Sequence, residues 1–153
     1  MPAILTNQQF NPWKELQRYQ QEHLQAGHFG ATASFVGSMR DFNIDQSVEQ
    51  MTLEHYPEMT QYFLDNLSKK CCEKYQLDDC LIIHRFCKIR PNEPIVLTVA
   101  WSAHREQAFD ACRYLMEELK AHAPFWKKEM TKKGERWVHN DQDPDSNAPD
   151  NKG

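Results

Sequence analysis

Apolar residues alternate with small and polar ones along residues 30 to 40, GATASFVGSMR, which is the period of a half-buried strand. The two glycines inside the run mark a bulge or a close backbone approach. SVEQMTLEHY predicts a second strand, and DCLIIHRFCKI and EPIVLTVAWS predict two more, joined as an antiparallel hairpin around Arg90, Pro91 and Asn92. Helical spacing fills the gaps. Asn11 and Pro12 offer an N-cap and a proline at the first helical position, and Trp13, Leu16 and Leu24 extend that helix to about Gln25, where Gly27 ends it. Pro57 opens a second helix in which Met59, Phe63, Leu67 and Cys71 recur at four-residue steps beside Tyr62. Ser102 is the expected N-cap of a third helix from 103 to about 122, closed by Pro124, which excludes Ala123 from helical geometry. A short strand near Ala3 to Thr6, a polar loop over Asp41 to Gln46 and a last strand at ERWV, 135 to 138, complete the pattern.

Paired strands separated by helices predict an α+β fold with a mainly antiparallel sheet and flanking helices, rather than a doubly wound parallel sheet. No G-x-G-x-x-G or G-x-x-x-x-G-K-[ST] run is present, so a standard nucleotide-binding loop is not indicated.

Composition narrows the classes. The chain has 153 residues, 40% of them apolar, enough for one domain with a real core. No apolar run approaches the ~20 residues that cross a bilayer, and the N-terminus has no basic segment followed by a long apolar one, so the sequence predicts a soluble, cytoplasmic protein. The net charge of -4 is misleading: NDQDPDSNAPDNKG holds four aspartates against one lysine, leaving the rest of the chain near balance. We therefore expect one domain over 1–139 and a disordered acidic tail over 140–153. A surface-wide nucleic-acid footprint is excluded, and any cationic site must be local. The five cysteines, 71, 72, 80, 87 and 112, have no metal-site spacing and read as buried reduced thiols; no metal or cofactor is expected.

The third helix carries the candidate chemistry. At 100° per residue Phe109, Cys112, Met116 and Leu119 lie within an arc of about 80°, the expected buried stripe. Arg105 falls inside that arc and Lys120 about 20° from Phe109. Such cations can simply snorkel, stems packed and heads in water. Alternatively they serve a site: His104 and Arg105 occupy the first turn, where free N–H groups and the helix dipole favour an anion. Arg105 and Lys120 are fifteen residues apart, about 22 Å along one helix, so they cannot hold one small substrate within a single chain. A shared site requires two copies, and a homodimer with composite sites is expected. Beyond the break, Phe125 and Trp126 can anchor the chain so that Lys127 points back toward Lys120, where a neighbouring cation depresses its pKa. Arg40, at the end of the glycine-containing strand, is a further anion ligand with a planar donor fork. His55 and His84 read as structural.

FVGSMRDFN, LEHYPEMT, IHR, SAHREQAF, LKAHAPFWKKE and GERWV, in this order from about Gly30 to Val138, resemble the catalytic (large) subunit of molybdopterin synthase. The resemblance implies an α/β-hammerhead-like fold and a sulfur-transferring enzyme of molybdenum cofactor biosynthesis. Such an enzyme converts cyclic pyranopterin monophosphate to molybdopterin. The sulfur arrives as a thiocarboxylate on the C-terminal Gly-Gly of a small ubiquitin-like subunit, in a heterotetramer built on a dimer of large subunits. Carried over by position, the resemblance makes Lys120 and Lys127 catalytic. It assigns Arg40, His104 and Arg105 to pterin and phosphate binding, with Lys128 and the backbone around Ser38 and Met39 lining the same pocket.

Overall fold

The computed structural model describes residues 3–43, 46–139 and 143–144. The elements run β1 (Ala3–Thr6), α1 (Pro12–His23), β2 (Ala31–Ser38), β3 (Phe42–Asn43), β4 (Gln46–His55), α2 (Pro57–Tyr75), β5 (Asp79–Arg85), β6 (Cys87–Ile89), β7 (Pro94–Ser102), α3 (Arg105–His122), β8 (Phe125–Thr131), β9 (Gly134–His139) and β10 (Asp143–Pro144). They form two sheets, ordered β1-β5-β7-β2 and β10-β9-β8-β4-β3, with β6 also on β4. Every pairing is antiparallel except β1 with β5. The α+β reading holds.

The first sheet is covered on both faces. On β5, Cys80 and Ile82 face the cluster built with Leu64 and Leu67 of α2 and Ala108, Ala111 and Leu115 of α3. Leu81 and Ile83 face the opposite cluster, with Trp101 and the α1 residues Leu16 and Tyr19. Burial on both sides explains why DCLIIHR is a continuous apolar run rather than an alternating one. Polar tips in this layer are matched: the Trp101 indole N–H donates to Gln20 Oε1 at 3.0 Å and the Tyr19 hydroxyl to Asp79 Oδ2 at 2.7 Å. Among the described residues no helix is long and apolar enough to cross a membrane.

Several expectations need correction. DCLIIHRFCKI is two strands in two sheets: Phe86 donates its N–H to the Thr6 carbonyl at 3.0 Å, and Cys87, at φ +67°, turns the chain into β6. Ser102 is not the N-cap of α3. His104 occupies that position without a side-chain cap, while the Ser102 hydroxyl donates to the His104 carbonyl at 2.6 Å. Phe109 is not buried but 66% exposed, because the core face of α3 is centred on Ala108, Ala111, Leu115 and Leu119. Met59 and Tyr62 of α2 are likewise exposed, the buried face being Thr60, Leu64, Leu67, Ser68 and Cys71. Cys87 is exposed and Cys72 half-buried, against the expectation of five buried thiols. Phe125 and Trp126, expected to anchor the chain after the break, begin a full strand that runs to Thr131.

Gly30, just before β2, and Gly37, within it, act as expected. A Cβ on Gly30 would collide with the Ala103 carbonyl, and one on Gly37 would meet Val96 Cγ1 at 2.9 Å, beside the register shift between Gly37 and Ser38. The domain boundary expected at 139 falls at the end of β9; of the tail only Asp143–Pro144 is described, paired with β9.

Candidate active site

Lys127 is placed by sheet register. It pairs with Leu53 of β4 and Val138 of β9, and paired residues point to one face. Leu53, Val138 and the neighbouring Met51 and Glu129 on that face are all buried, so β8 carries an ammonium on the inner side of its sheet. Lys128 is one residue on and faces the other way. Its Nζ lies 3.4 Å from Glu135 Oε2 and 5.2 Å from the Trp137 ring centroid.

The inner face opens into a cavity of about 300 Å³ between the two sheets. Gly37 and Ser38 from β2, Lys120 and Met116 from α3, Phe125 and Lys127 from β8 line it. Burial lowers the Lys127 pKa to about 8, and the charges of Lys120 and Arg40 push it the same way while Glu129 opposes them. At that value about a tenth of the ammonium is neutral at pH 7, so it can give or take a proton. Glu129 is itself buried and accepts from Arg136 Nε at 3.1 Å.

His84 belongs to the cavity wall and was not anticipated there. Its ring stacks on Phe125 with centroids 4.1 Å apart and planes at 15°. Its Nδ1–H donates to the Arg85 carbonyl at 2.8 Å, which leaves Nε2 as an acceptor. Burial pushes its pKa down to about 4, so the ring is neutral near pH 7. The signal in the sequence was its place in an unbroken apolar run. Sequence position alone could not tell which of the two sheets' clefts that strand end faces.

Arg40 follows Met39, whose backbone is clamped by the 90–93 turn: its N–H donates to the Glu93 carbonyl at 3.0 Å and its carbonyl accepts from Asn92 N–H at 2.8 Å. Arg85 holds that turn, with Nη1 3.3 Å from Glu93 Oε1 and Nη2 donating to the Lys88 carbonyl at 2.9 Å. The Met39 side chain is buried, 4% exposed, in the small core under β4 and β6, so its side chain packs rather than binds. Arg40 is exposed, within electrostatic reach of Lys127.

The structure thus brings Ser38, Arg40, Lys120 and Lys127 together and leaves His104, Arg105 and Lys128 apart from them within one chain. α3 is unbroken from Arg105 to His122, so the separation of about 22 Å between Arg105 and Lys120 stands. His104 and Arg105 are exposed at a helix start without a side-chain cap.

The α+β domain thus holds a pocket with mostly apolar walls into which two lysines, Lys120 and Lys127, open. The chain belongs to the MoaE protein family, whose model matches residues 5–122. It is 49% identical over 117 residues to the molybdopterin synthase catalytic subunit of Ralstonia nicotianae, covering 75% of this chain and 66% of that one. To the same subunit of Pseudomonas aeruginosa it is 45% identical, covering 84% of both chains. Among solved structures it resembles the molybdopterin biosynthesis MoaE protein from Burkholderia ambifaria, with a TM-score of 0.74, 35% identity, and coverage of 89% of this chain and 87% of that one.

Proposed function

We propose that this chain is the catalytic subunit of a cytoplasmic molybdopterin synthase. It converts cyclic pyranopterin monophosphate to molybdopterin, taking sulfur from the C-terminal thiocarboxylate of a small ubiquitin-like subunit to build the dithiolene. The family and its named relatives support the reaction. The observation that carries the site assignment is the Lys127 ammonium, held on the inner face of a sheet beside Lys120 and Arg40.

Both reactants are anionic, and a cationic rim offsets their mutual repulsion and steers them into one cavity. Lys120 is the main general acid and base, assisting sulfur addition and loss of the substrate oxygen. Lys127 stabilises charge that develops on substrate or intermediate. Arg40 binds the phosphate, together with His104 and Arg105 from a second copy of the chain, as the ring opens. Ser38 lines the pocket. The nucleophilic sulfur arrives with the partner, so none of the five cysteines need react. The assembly is a heterotetramer, two large subunits at its centre and a small subunit on each.

The test is molybdopterin formation from the cyclic precursor and thiocarboxylated small subunit. Lys120→Ala lowers turnover by about 10²- to 10⁴-fold while partner binding and the far-UV spectrum are retained. Full activity in that variant removes Lys120 from the chemistry. Turnover that proceeds without the sulfur-carrying subunit refutes the reaction.

A further inference from the structure

The surroundings of the five thiols sort them. Cys71 Sγ lies 3.7 Å from the Ala111 carbonyl and Cys112 Sγ 3.7 Å from the Thr98 carbonyl. Burial keeps both protonated, with the Cys71 pKa pushed up to about 12 and that of Cys112 also raised. Cys87 is exposed where the chain turns into β6. Cys72 and Cys80 differ from all three: their sulfurs face each other at 3.5 Å.

The backbone brings them there. Cys72 stands in the last turn of α2, which ends at Tyr75, and Gln76 at φ +53° reverses the chain. The Cys72 carbonyl accepts the N–H groups of both Gln76 and Leu77, the latter at 3.0 Å, so this helix end is closed by a left-handed cap. β5 is entered under equal control. Asp78 donates its N–H to the Trp101 carbonyl at 2.8 Å. Asp79 accepts from the Cys80 N–H at 2.8 Å through one carboxylate oxygen and from the Tyr19 hydroxyl at 2.7 Å through the other. Hydrogen-bonded backbone thus fixes each cysteine on its own side of a short turn.

The pair is asymmetric. Cys80 is fully buried, and its Sγ also lies 3.7 Å from the Ser68 carbonyl. Cys72 is half-buried and reaches solvent. The hydrogen bond with Cys80 lowers the Cys72 pKa, against burial and the charges of Asp79 and Glu73, while the same contact and burial raise that of Cys80. The accessible sulfur is therefore the one that ionises, and the buried one keeps its proton beside it.

We infer that Cys72 and Cys80 form an oxidation site that reacts with a hydroperoxide and closes to a disulfide. The Cys72 thiolate attacks a peroxide oxygen, the O–O bond breaks, and the departing oxyanion takes up the proton that Cys72 had released, leaving a sulfenic acid on Cys72. Cys80 Sγ then attacks the sulfenic sulfur, its proton leaves with the hydroxyl as water, and the S–S bond forms. Two thiols and ROOH give a disulfide, ROH and water, the sulfurs losing the two electrons that reduce the peroxide. A dithiol reductant reverses the change. Cys80 lies four strand steps from His84, about 13 Å along β5, so the bond ties α2 to β5 without entering the cavity. It forms whatever reaction the cavity carries out.

The test exposes the reduced, folded full chain to a small molar excess of hydrogen peroxide, alkylates the remaining thiols and maps the peptides by mass spectrometry. Wild type and Cys87→Ser each lose the mass of two hydrogens and yield one linked pair, Cys72 with Cys80, at rates within about twofold of each other. Dithiothreitol restores the free thiols. Cys80→Ser stops at a Cys72 sulfenic acid that dimedone traps, and Cys72→Ser slows oxidation of Cys80 by about tenfold or more. Cys72 and Cys80 both alkylated after Cys87 has been oxidised overturns the site. So does a link from either one to Cys71 or Cys87, or a Cys72–Cys80 link that appears only in urea. Wild type and the surface variant Cys87→Ser decide these outcomes even where a serine in the core unfolds the chain.

Discussion

The two ends of α3 carry similar cations in dissimilar surroundings. At the C-terminal end Lys120 opens onto a walled cavity and stands close enough to Lys127 to depress its pKa. At the N-terminal end His104 and Arg105 stand exposed over a helix start whose N–H groups have no side-chain cap. One end has a pocket and two lysines, of which Lys127 has its pKa lowered to about 8. The other is an exposed helix start without a side-chain cap. The composite site proposed above would join these two unlike ends across two chains.

The contrast is tested most severely by separating the ends onto different chains. Arg105→Ala alone lowers kcat/KM by about 10- to 100-fold, mainly through KM, since it removes a charge-assisted contact to a bound anion. Mixing Lys120→Ala with Arg105→Ala chains restores about a quarter of wild-type sites, read at substrate concentrations below the wild-type KM. Half of randomly assorted dimers are mixed, and each mixed dimer has one site with both residues intact. Verified mixed dimers with no recovered activity would break the comparison.

Next in size is Gly30→Ala, which forces a methyl group against the Ala103 carbonyl, displaces the turn that leads into His104 and Arg105, and destabilises by about 1–3 kcal/mol in denaturant melts. Its activity loss mimics Arg105→Ala, not Lys120→Ala.

Lys127 gives a pH signature. Its folded pKa, about 8, lies below the ordinary lysine value, so between those limits the unfolded chain binds more protons and stability rises with pH. Below about pH 8 the cost of the buried charge is fully present, on the order of 3 kcal/mol. Lys127→Met is therefore more stable than wild type at pH 7, and the advantage shrinks as pH rises through 8 toward 10.5. A pH-independent difference removes the buried-charge account. Smallest is Lys128→Ala, which loses a partly exposed pair with Glu135 and changes stability by less than about 1 kcal/mol and kcat/KM by about twofold or less.

What could be read from the chain follows from how each element is specified. α1 and α2 begin at prolines, and those local stops fix their boundaries whatever they pack on. β8 was invisible as a strand because its inner face reads Phe125, Lys127, Glu129: the site replaces the apolar alternation by which strands are recognised. Phe109 misled for the opposite reason. A wheel weighted by large side chains includes it at the edge of the buried face, whereas close packing of α3 on β7 and β2 selects Ala108 and Ala111 and leaves Phe109 outside. The nearness of Lys127 to Lys120 was legible from the break at Pro124, whereas that of Arg40 to Lys127 depends on the fold. His84 was not, because strand pairing across β5 and the corner at Phe86 decide its surroundings.

Lys127 and Lys128 are chemically identical side chains on adjacent residues, and only the phase of β8 against β4 distinguishes the one over the cavity from the one over Trp137. A slip of one residue would exchange their roles without altering a single amino acid. Which lysine faces the cavity is thus a matter of parity, encoded in the β4–β8 ladder from Gln50 paired with Met130 to His55 paired with Phe125 and shared by every residue that keeps that ladder in step.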